Sequence, residues 1–249
     1  MTNSKTLKAV ALGAAVAATL SSGVAMADLT GNAAVSNNYI WRGVTQTQNA
    51  AAASGGLDWS GGPGFYVGTW LGNVDFTPAG QKGYEMDVYA GWGGETQGGG
   101  FAWDLGVITY QYPMEPQINF SEVYASGTFS VVTLGIAYTV DTASGNEAGK
   151  SAFDKGDTYV YGSLDFDTKP GAISLYVGSY MFDNDGNVED SGTGELDYVH
   201  YGVSLSKGDF TFAVDKNDID DNNVFFGAGD ATADNVRFSV TWSKEFELM

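Results

Sequence analysis

The segment Val132-Thr133-Leu134-Gly135-Ile136-Ala137-Tyr138-Thr139-Val140 places a large apolar residue at every second position, with a small or polar residue between. Successive side chains of a β-strand point to opposite faces, so this pattern predicts a strand with one apolar and one polar face. The same alternation recurs along most of the sequence after residue 27, as in Ile173-Ser174-Leu175-Tyr176-Val177-Gly178 and Val236-Arg237-Phe238-Ser239-Val240. An all-β fold is predicted.

The alternating segments number about twelve when each is read as one strand. They lie near residues 32–42, 50–60, 64–74, 82–94, 100–112, 119–129, 131–141, 156–167, 171–182, 194–206, 209–215 and 234–246. Proline cannot donate to a strand ladder, and all 5 prolines fall between these segments.

Short and long links between the predicted strands alternate strictly along the chain. Short links lie near 61–63, 95–99, 130, 168–170 and 207–208; the mostly longer ones lie near 43–49, 75–81, 113–118, 142–155, 183–193 and 216–233. Bacterial outer-membrane barrels have short periplasmic turns and longer outer loops, whereas a β-sandwich with Greek-key crossovers has no reason to sort its links this way. The sequence therefore predicts a 12-stranded antiparallel up-and-down transmembrane β-barrel over residues 28–249.

The first 27 residues have the pattern of a secretory signal peptide. Lys5 and Lys8 precede a small, apolar run over residues 9–20, and Ala25-Met26-Ala27 forms a small-residue cleavage pattern. No later stretch has 18 consecutive apolar residues, so no transmembrane helix is predicted after residue 27.

Composition excludes several classes of function. The 249 residues include 30 Asp and Glu against 11 Lys and Arg, a net charge of -19 that argues against nucleic-acid binding. The sequence has 0 Cys, which excludes disulfides, thiolate zinc sites and a thiol nucleophile. No cofactor is predicted.

The two faces of the predicted strands differ in a way that suits a membrane barrel. Lysine is almost missing from the strands, and the polar face carries Ser, Thr, Gly, Tyr and a few carboxylates, as expected for a lumen. The apolar face would then meet lipid. Trp59, Trp92, Trp103 and Trp242 lie near strand ends, where aromatic girdles form at the two membrane interfaces.

Several stretches resemble the TorF family of outer-membrane porins. They include Gly31-Asn32-Ala33-Ala34-Val35-Ser36, Tyr39-Ile40-Trp41-Arg42-Gly43-Val44-Thr45-Gln46-Thr47, Gly64-Phe65-Tyr66-Val67-Gly68-Thr69-Trp70 and Trp242-Ser243-Lys244-Glu245-Phe246. The resemblance implies an outer-membrane barrel with a porin activity. Such barrels commonly finish on the aromatic residue, whereas this chain adds Glu247-Leu248-Met249. The predicted partners are outer-membrane lipids, a small-molecule or ion solute, and the assembly machinery during biogenesis.

Charged and polar residues on the polar face are predicted to line the pore. They are Arg42, Glu85, Asp87, Asp104, Glu122, Tyr159, Asp165, Tyr176, Asp197, His200 and Arg237. An acidic, water-filled lumen would favour cations. Alternatively, these acids pair with the two arginines and with Tyr hydroxyls and seal the barrel. Twelve strands fall between filled and open barrels, and inward tyrosines could close the remaining space.

The single histidine, His200, is the one candidate for a general base. No Ser or Asp can be tied to it from the sequence, so a hydrogen-bonding role in the lumen is expected and no enzyme activity is predicted. The acidic segments 183–190 and 215–221 do not match the spacing of an EF-hand and are interpreted as solvated outer loops.

These observations predict an outer-membrane, porin-like channel for passive diffusion of small solutes, with a preference for cations. One alternative is a closed barrel with a structural or adhesive role through its acidic outer loops. Another is a soluble exported β-sandwich that binds a ligand, and an outer-membrane hydrolase would rest on His200 alone.

Overall fold

The structure, a computed structural model, describes residues 28–75, 82–143, 153–183, 196–219 and 233–249. The predicted signal peptide, residues 1–27, and parts of the acidic segments 183–190 and 215–221 lie outside the described residues. The strands of the described part are β1 (Asp28–Ser36), β2 (Ile40–Trp41), β3 (Val44–Thr45), β4 (Ala52–Gly61), β5 (Phe65–Asp75), β6 (Lys82–Glu95), β7 (Ala102–Gln111), β8 (Phe120–Phe129), β9 (Val132–Thr142), β10 (Thr158–Asp167), β11 (Ala172–Met181), β12 (Tyr198–Lys207), β13 (Phe210–Asn217) and β14 (Arg237–Glu247), and a 3-10 helix lies at Pro116–Ile118.

All of these strands except β2 and β3 form one closed barrel of 12 strands, in which each strand pairs antiparallel with its neighbours. The ring closes at β1, because Ala33 pairs with Gly55 of β4 on one side and with Lys244 of β14 on the other. The predicted 12-stranded up-and-down barrel is confirmed. The alternative of a β-sandwich is wrong, because the sheet closes on itself instead of forming two stacked layers. Among the described residues, no helix is long and apolar enough to cross a membrane.

The two ends of the barrel differ in the length of their links. At one end, here called the short-turn rim, the strands are joined at 62–64, 96–101, 130–131, 168–171 and 208–209. The links at the opposite end, here called the long-loop rim, are 37–51, 76–81, 112–119, 143–157, 182–197 and 218–236. Both ends of the described chain lie at the short-turn rim, so the predicted sorting of links is confirmed.

The first strand is β1, at Asp28–Ser36, and the predicted strand over 32–42 was placed too far along the chain. Residues 40–45 instead form the small hairpin β2–β3. Its turn consists of Arg42 and Gly43, whose φ angles of 46° and 80° lie in the left-handed region used by two-residue hairpin turns. The apolar residues on either side of this turn have the sequence pattern of a continuing strand, which is why the predicted strand was extended to residue 42.

The apolar face of the strands points outward, away from the lumen. Exposed apolar side chains occur along the strands, including Leu57, Val67, Leu71, Val88, Leu105, Val123, Leu134, Ile136, Leu175, Val177, Val203, Phe212 and Val240. The register of β5, which was ambiguous in the sequence, places Phe65 and Val67 outside and buries Tyr66 inside. A wide apolar surface of this kind suits contact with hydrocarbon.

Exposed aromatic side chains form a belt around each rim. The belt at the short-turn rim consists of Trp59, Phe65, Trp92, Phe101, Phe129, Phe166, Phe210 and Phe246, and a sparser belt towards the long-loop rim has Tyr84, Tyr138, Tyr201 and Phe238. Trp59 and Trp92 thus lie where the sequence predicted, whereas Trp103 and Trp242 are only partly exposed. From Tyr84 to Trp92 the strand rises about 26 Å, or about 20 Å along the axis of a barrel with the usual tilt, which is close to the height of a membrane-spanning band.

The residues beyond Phe246 continue the wall of the barrel. Glu247 pairs with Thr30 of β1, and the backbone N–H of Leu248 donates to the carbonyl of Leu29 at 2.9 Å. Phe246 itself points outward within the short-turn belt. The extra residues therefore lengthen the last ladder and leave the final aromatic side chain on the outer surface.

We expect Ile136→Arg to lower the free energy of unfolding in lipid by about 2–4 kcal/mol, because it places a charge on the outer face midway between the belts. Val132→Arg, on the same face of the same strand but at the short-turn rim, should cost about 0–1 kcal/mol. Equilibrium unfolding by urea in liposomes measures both. Equal costs for the two variants would contradict a lipid-facing surface.

Candidate functional site

The link between β1 and β4 folds into the lumen instead of projecting outward. Trp41, Arg42, Val44 and Thr47 are buried inside the barrel. At the tip of the hairpin, the side-chain amide of Asn217 donates to the carbonyl of Gly43 at 2.8 Å. We call this element, residues 39–47, the lumen hairpin.

Gly43 is required by its position in the lumen hairpin. It has a φ of 80°, and a Cβ at this residue would lie 2.3 Å from the Cβ of His200. A side chain would therefore both strain the turn and collide with the barrel wall. Glycine allows the tip of the hairpin to rest directly on β12.

The hairpin is fixed to the wall by a buried ion pair. The Arg42 guanidinium donates two parallel hydrogen bonds to the Glu122 carboxylate, Nη1 to Oε1 at 2.8 Å and Nη2 to Oε2 at 2.6 Å. Both side chains are almost completely buried. A bidentate pair of this kind has strong geometric specificity, and removing one partner leaves an uncompensated buried charge.

Aromatic faces surround the guanidinium of Arg42. Its central carbon lies 4.1 Å from the ring centroid of Tyr159, 4.3 Å from that of Trp41 and 4.9 Å from that of Tyr180. Attraction between a cation and the negative face of an aromatic ring adds to the ion pair when water is excluded. Trp41 belongs to the hairpin, whereas Tyr159 and Tyr180 belong to β10 and β11 of the wall.

Trp41 is the apolar anchor of the hairpin. Its ring centroid lies 5.7 Å from that of Tyr110, 5.9 Å from Phe153, 6.0 Å from Tyr180 and 6.3 Å from Phe120. Inward aromatic residues at the long-loop rim thus form a small core around the hairpin, and burying a tryptophan side chain there contributes substantial hydrophobic free energy.

A second contact with the wall involves Tyr39. Its hydroxyl donates to Oε1 of Glu85 at 3.1 Å, and its ring lies 5.3 Å from that of Trp70. Inward side chains at the level of the hairpin are at most 1% exposed, namely Glu85, Asp87, Glu122, Thr139, Tyr180, His200 and Asn217. The long-loop half of the lumen is therefore filled in this conformation.

The loop before β10 closes over the same end of the lumen. Asp157 accepts hydrogen bonds from the backbone N–H groups of Asp154 and Asp183, each at 2.9 Å. Burial raises the pKa of the Asp157 carboxyl to about 7. An unfolded carboxyl releases its proton near pH 4, so the contribution of Asp157 to stability is fully present below about pH 4 and is lost as the pH rises to about 7.

Outside the contacts of the hairpin, carboxylates of the lumen pair with tyrosine hydroxyls. Tyr66 donates to Asp104 at 2.7 Å, and Tyr176 donates to Asp215 at 2.6 Å. Tyr89 donates in the same way to Asp58. Together with the Arg42 pair, these bonds match the sequence-based alternative in which the acids are paired locally.

Five of the inward tyrosines lie across the glycine with which they pair directly on the adjacent strand. The pairs are Tyr66 over Gly91, Tyr89 over Gly68, Tyr124 over Gly106, Tyr161 over Gly135 and Tyr176 over Gly202, and a Cβ on any of these glycines would lie 2.2–2.4 Å from the ring or hydroxyl. Tyr176, for example, extends from β11 across β12 to Asp215 of β13. These side chains, which we call tyrosine straps, lie along the wall and leave the centre of the lumen free. At the level of the hairpin, residues 39–47 occupy that centre.

The structure distributes the predicted pore-lining residues over three levels of the barrel. Arg42, Glu85, Asp87, Glu122, Tyr159 and His200 lie around the hairpin, Asp104, Asp165 and Tyr176 lie in the short-turn half, and Arg237 begins β14 at the long-loop rim. Arg237 donates to the carbonyl of Ala233 at 2.8 Å.

The prediction for Asp197 was wrong. It lies outside the strands, is exposed, and shares the outward parity of Val199 and Tyr201 rather than that of His200. Its Oδ1 accepts a hydrogen bond from the backbone N–H of Phe182 at 2.6 Å. The carboxylate therefore caps the end of β11 and does not line the lumen.

Sequence reasoning missed several residues that shape the lumen. They are Tyr39, Trp41, Asp58, Tyr66, Tyr180 and Asn217. In the stretch Tyr39-Ile40-Trp41-Arg42-Gly43-Val44, the signal that could have been used was Gly43, since a glycine inside a strand-like run indicates a bulge or a close approach of the backbone.

His200 is enclosed by the hairpin and by its neighbours on the wall. Its Nε2 lies 2.8 Å from the Tyr159 hydroxyl, and the two rings are stacked with centroids 5.8 Å apart. Nδ1 has no hydrogen-bond partner among the described residues, and Ser204, on the same face of β12, lies about 13 Å along the strand. A histidine that activates a serine must lie within hydrogen-bond distance of it. No group of acidic residues and histidine in the described part of the chain could hold a metal ion.

A closed barrel with an apolar exterior, two aromatic belts and a plugged polar lumen defines a transmembrane β-barrel protein. The chain belongs to a family described as a bacterial protein of unknown function (Gcw_chp), whose model matches residues 17–243. No curated protein matches the sequence.

Solved structures with a similar fold are membrane proteins. One, from work on the in-meso crystallization of membrane proteins, has a TM-score of 0.53 at 9% sequence identity. The match covers 88% of this chain and 84% of the other chain. The KdgM porin has a TM-score of 0.47 at 8% identity, covering 90% of this chain and 100% of its own. The NanC porin has a TM-score of 0.46 at 10% identity, covering 89% and 100%.

We expect Arg42→Ala to reduce the free energy of unfolding by about 3–5 kcal/mol, because it leaves the Glu122 carboxylate buried without a counter-charge. The double variant Arg42→Met with Glu122→Gln should be more stable than Arg42→Ala, since it removes both charges and retains much of the side-chain volume. Urea unfolding in detergent micelles provides the comparison. A double variant as unstable as the single one would show that the charge pair is not what holds the hairpin.

We expect Gly202→Ala to cost about 1–3 kcal/mol, because the new methyl group pushes the Tyr176 ring off the wall and away from Asp215. In a background that already carries Tyr176→Ala, the same change should cost much less. Thermal unfolding followed by circular dichroism measures this coupling. An undiminished cost in that background would mean that Tyr176 is not the obstacle.

Proposed function

We propose that this protein is an outer-membrane, porin-like channel through which small solutes diffuse passively, and that the lumen hairpin is its gate. The observation that carries the proposal is that the obstruction is a separate loop segment, residues 39–47, inside an otherwise complete barrel. An obstruction that is not part of the wall can move without breaking any ladder of the barrel.

The outer surface supports a location in the outer membrane. Its apolar band and two aromatic belts suit contact with outer-membrane lipids, and the signal-peptide pattern of residues 1–27 agrees with export. The TorF-like stretches agree with the same location and with a porin activity. Insertion would require the outer-membrane assembly machinery.

The charges of the lumen support a preference for cations. Asp58, Asp104 and Asp165 face the short-turn half, whereas Arg42 lies at the hairpin. Arg237 lies towards the long-loop rim, where it pairs across the ladder with Asp215. Tyrosine hydroxyls bond to several of these carboxylates without neutralising their charge. The proposed pore-lining residues are Arg42, Glu85, Asp87, Asp104, Glu122, Tyr159, Asp165, Tyr176, His200 and Arg237.

Transport of this kind requires no catalytic step. His200 bonds to Tyr159 beneath the hairpin rather than to a nucleophile, which supports a structural role. We therefore propose that the protein is not an enzyme.

The depth of the hairpin favours one second candidate, a permanently closed barrel with a structural or adhesive role through its acidic outer loops. Trp41 and Arg42 are both at most 7% exposed, and a plug that never leaves would make the barrel impermeable. The two candidates differ in what happens when the hairpin is removed.

In planar lipid bilayers, we expect the native protein to be mostly closed with brief openings. A variant with residues 39–47 replaced by a short Gly-Ser linker should conduct persistently, because the centre of the lumen is cleared. Reversal potentials in a salt gradient should show cation preference.

The matched control replaces residues 114–117, at the same rim but outside the lumen, and should behave like the native protein. If the hairpin variant folds as a barrel and still does not conduct, the permanently closed barrel is favoured. A preference for anions would contradict the acidic lumen.

A further inference from the structure

We infer that the wall around Arg42 is a binding site for guanidinium-type organic cations, which the chain occupies with its own arginine. A soluble cation of this class would compete with Arg42 for Glu122 and favour withdrawal of the hairpin. The opening step rests on the proposed gate, whereas the binding site itself can be tested separately.

The half of the site that belongs to the wall is built from three strands. Glu122 of β8 supplies both carboxylate oxygens, and Tyr159 of β10 and Tyr180 of β11 present their rings to the guanidinium. All three side chains are at most 4% exposed. When the hairpin leaves, Trp41 leaves with it, but these wall residues stay in place because the barrel ladders hold them.

The geometry selects a planar, forked cation. Both oxygens of Glu122 are satisfied by parallel N–H donors at 2.8 Å and 2.6 Å, an arrangement that matches guanidinium and not a point charge. The faces of Tyr159 and Tyr180 favour a flat, weakly hydrated cation over a strongly hydrated metal ion. Arginine amide, agmatine and guanidinium itself have this chemistry.

Once Arg42 has left, the Glu122 carboxylate would need another cation as its partner. Withdrawal of the hairpin leaves the negative charge of Glu122 beside aromatic rings, where an unpaired charge is strongly disfavoured. A soluble guanidinium compound that binds the open form alone raises the ratio of open to closed protein by a factor of one plus its concentration divided by its dissociation constant. By the same linkage, Arg42 competes with the soluble cation for Glu122.

The turn that presents Arg42 is held under some strain. Arg42 has a φ of 46°, which disfavours residues other than glycine. The two arms of the hairpin are joined by the pairs Ile40 with Thr45 and Trp41 with Val44 and by a backbone hydrogen bond from Gln46 to Tyr39. The conformation of the tip therefore depends on contacts with the wall, among them those with Glu122 and Asn217. A competitor for the Glu122 carboxylate removes the charged contact that fixes the tip, and leaves the packing of Trp41 and the hydrogen bond from Asn217 to hold the hairpin.

Binding is tested first in detergent micelles with the variant Arg42→Ala, which vacates the site. We expect millimolar guanidinium chloride to raise its melting temperature, with equal sodium chloride as the control for ionic strength. Methylammonium should require about tenfold higher concentration, because it forms one of the two parallel hydrogen bonds. The double variant with Glu122→Gln should lose the response, and the native protein should not respond because its site is occupied.

If Arg42→Ala does not fold, the variant with residues 39–47 replaced by a Gly-Ser linker serves in its place, since it removes Arg42 and leaves Glu122, Tyr159 and Tyr180 on the wall. A melting temperature that does not respond to guanidinium in the folded variant, or that responds equally after Glu122→Gln, overturns the site.

The opening step is tested with the native protein in planar bilayers. We expect agmatine added at the long-loop side to increase the open fraction severalfold, and putrescine, a diamine without a guanidinium group, to have a much smaller effect. If the variant lacking residues 39–47 conducts but agmatine leaves the native protein closed, the displacement step is wrong while the channel function stands. If no variant conducts but Arg42→Ala still binds guanidinium, the channel function fails while the binding site stands.

Discussion

The structure depends on one constraint, which is that backbone N–H and C=O groups beneath an apolar surface must find partners within the protein. The outward face of this sheet is apolar along its whole circumference, so water does not reach those groups from outside. Closure between β1 and β14 removes the last free edge of the sheet. The even number of strands and the position of the first and last described strand ends at one rim follow from that closure.

The lumen obeys a different rule, because it holds charges away from water. Arg42 and Glu122 are separated by 80 residues in the chain, yet they form a buried, bidentate ion pair inside the barrel. A buried pair of this kind adds little stability compared with apolar packing but strongly penalises every arrangement that separates its members. The pair therefore determines where the hairpin lies, and Trp41 with its aromatic neighbours supplies most of the apolar contact that accompanies it.

Local pattern was enough to predict the barrel, because each strand shows its two faces in its own sequence. The pattern was not enough for the lumen. Ile40, Trp41 and Val44 have the composition of a strand, and only contacts with distant residues such as Glu122 and Asn217 make them a hairpin. Asp197 was misplaced because a carboxylate beside a strand was assigned to the polar face without regard to its parity. The tyrosine straps were missed because they join residues on different strands, whose register the sequence does not reveal.

The tyrosine straps also bear on how the strands find their correct alignment. A register shift by one residue turns the apolar side of a strand inward and has a large free-energy cost. A shift by two residues keeps both faces correct, so hydrophobic burial alone would not oppose it. On β12 such a shift would replace Gly202 beneath the Tyr176 ring by His200 or Ser204, and neither fits in the space that now holds a hydrogen atom. The absence of a side chain at Gly202 thus specifies the register, because it distinguishes the native alignment of β11 and β12 from the two nearest alternatives.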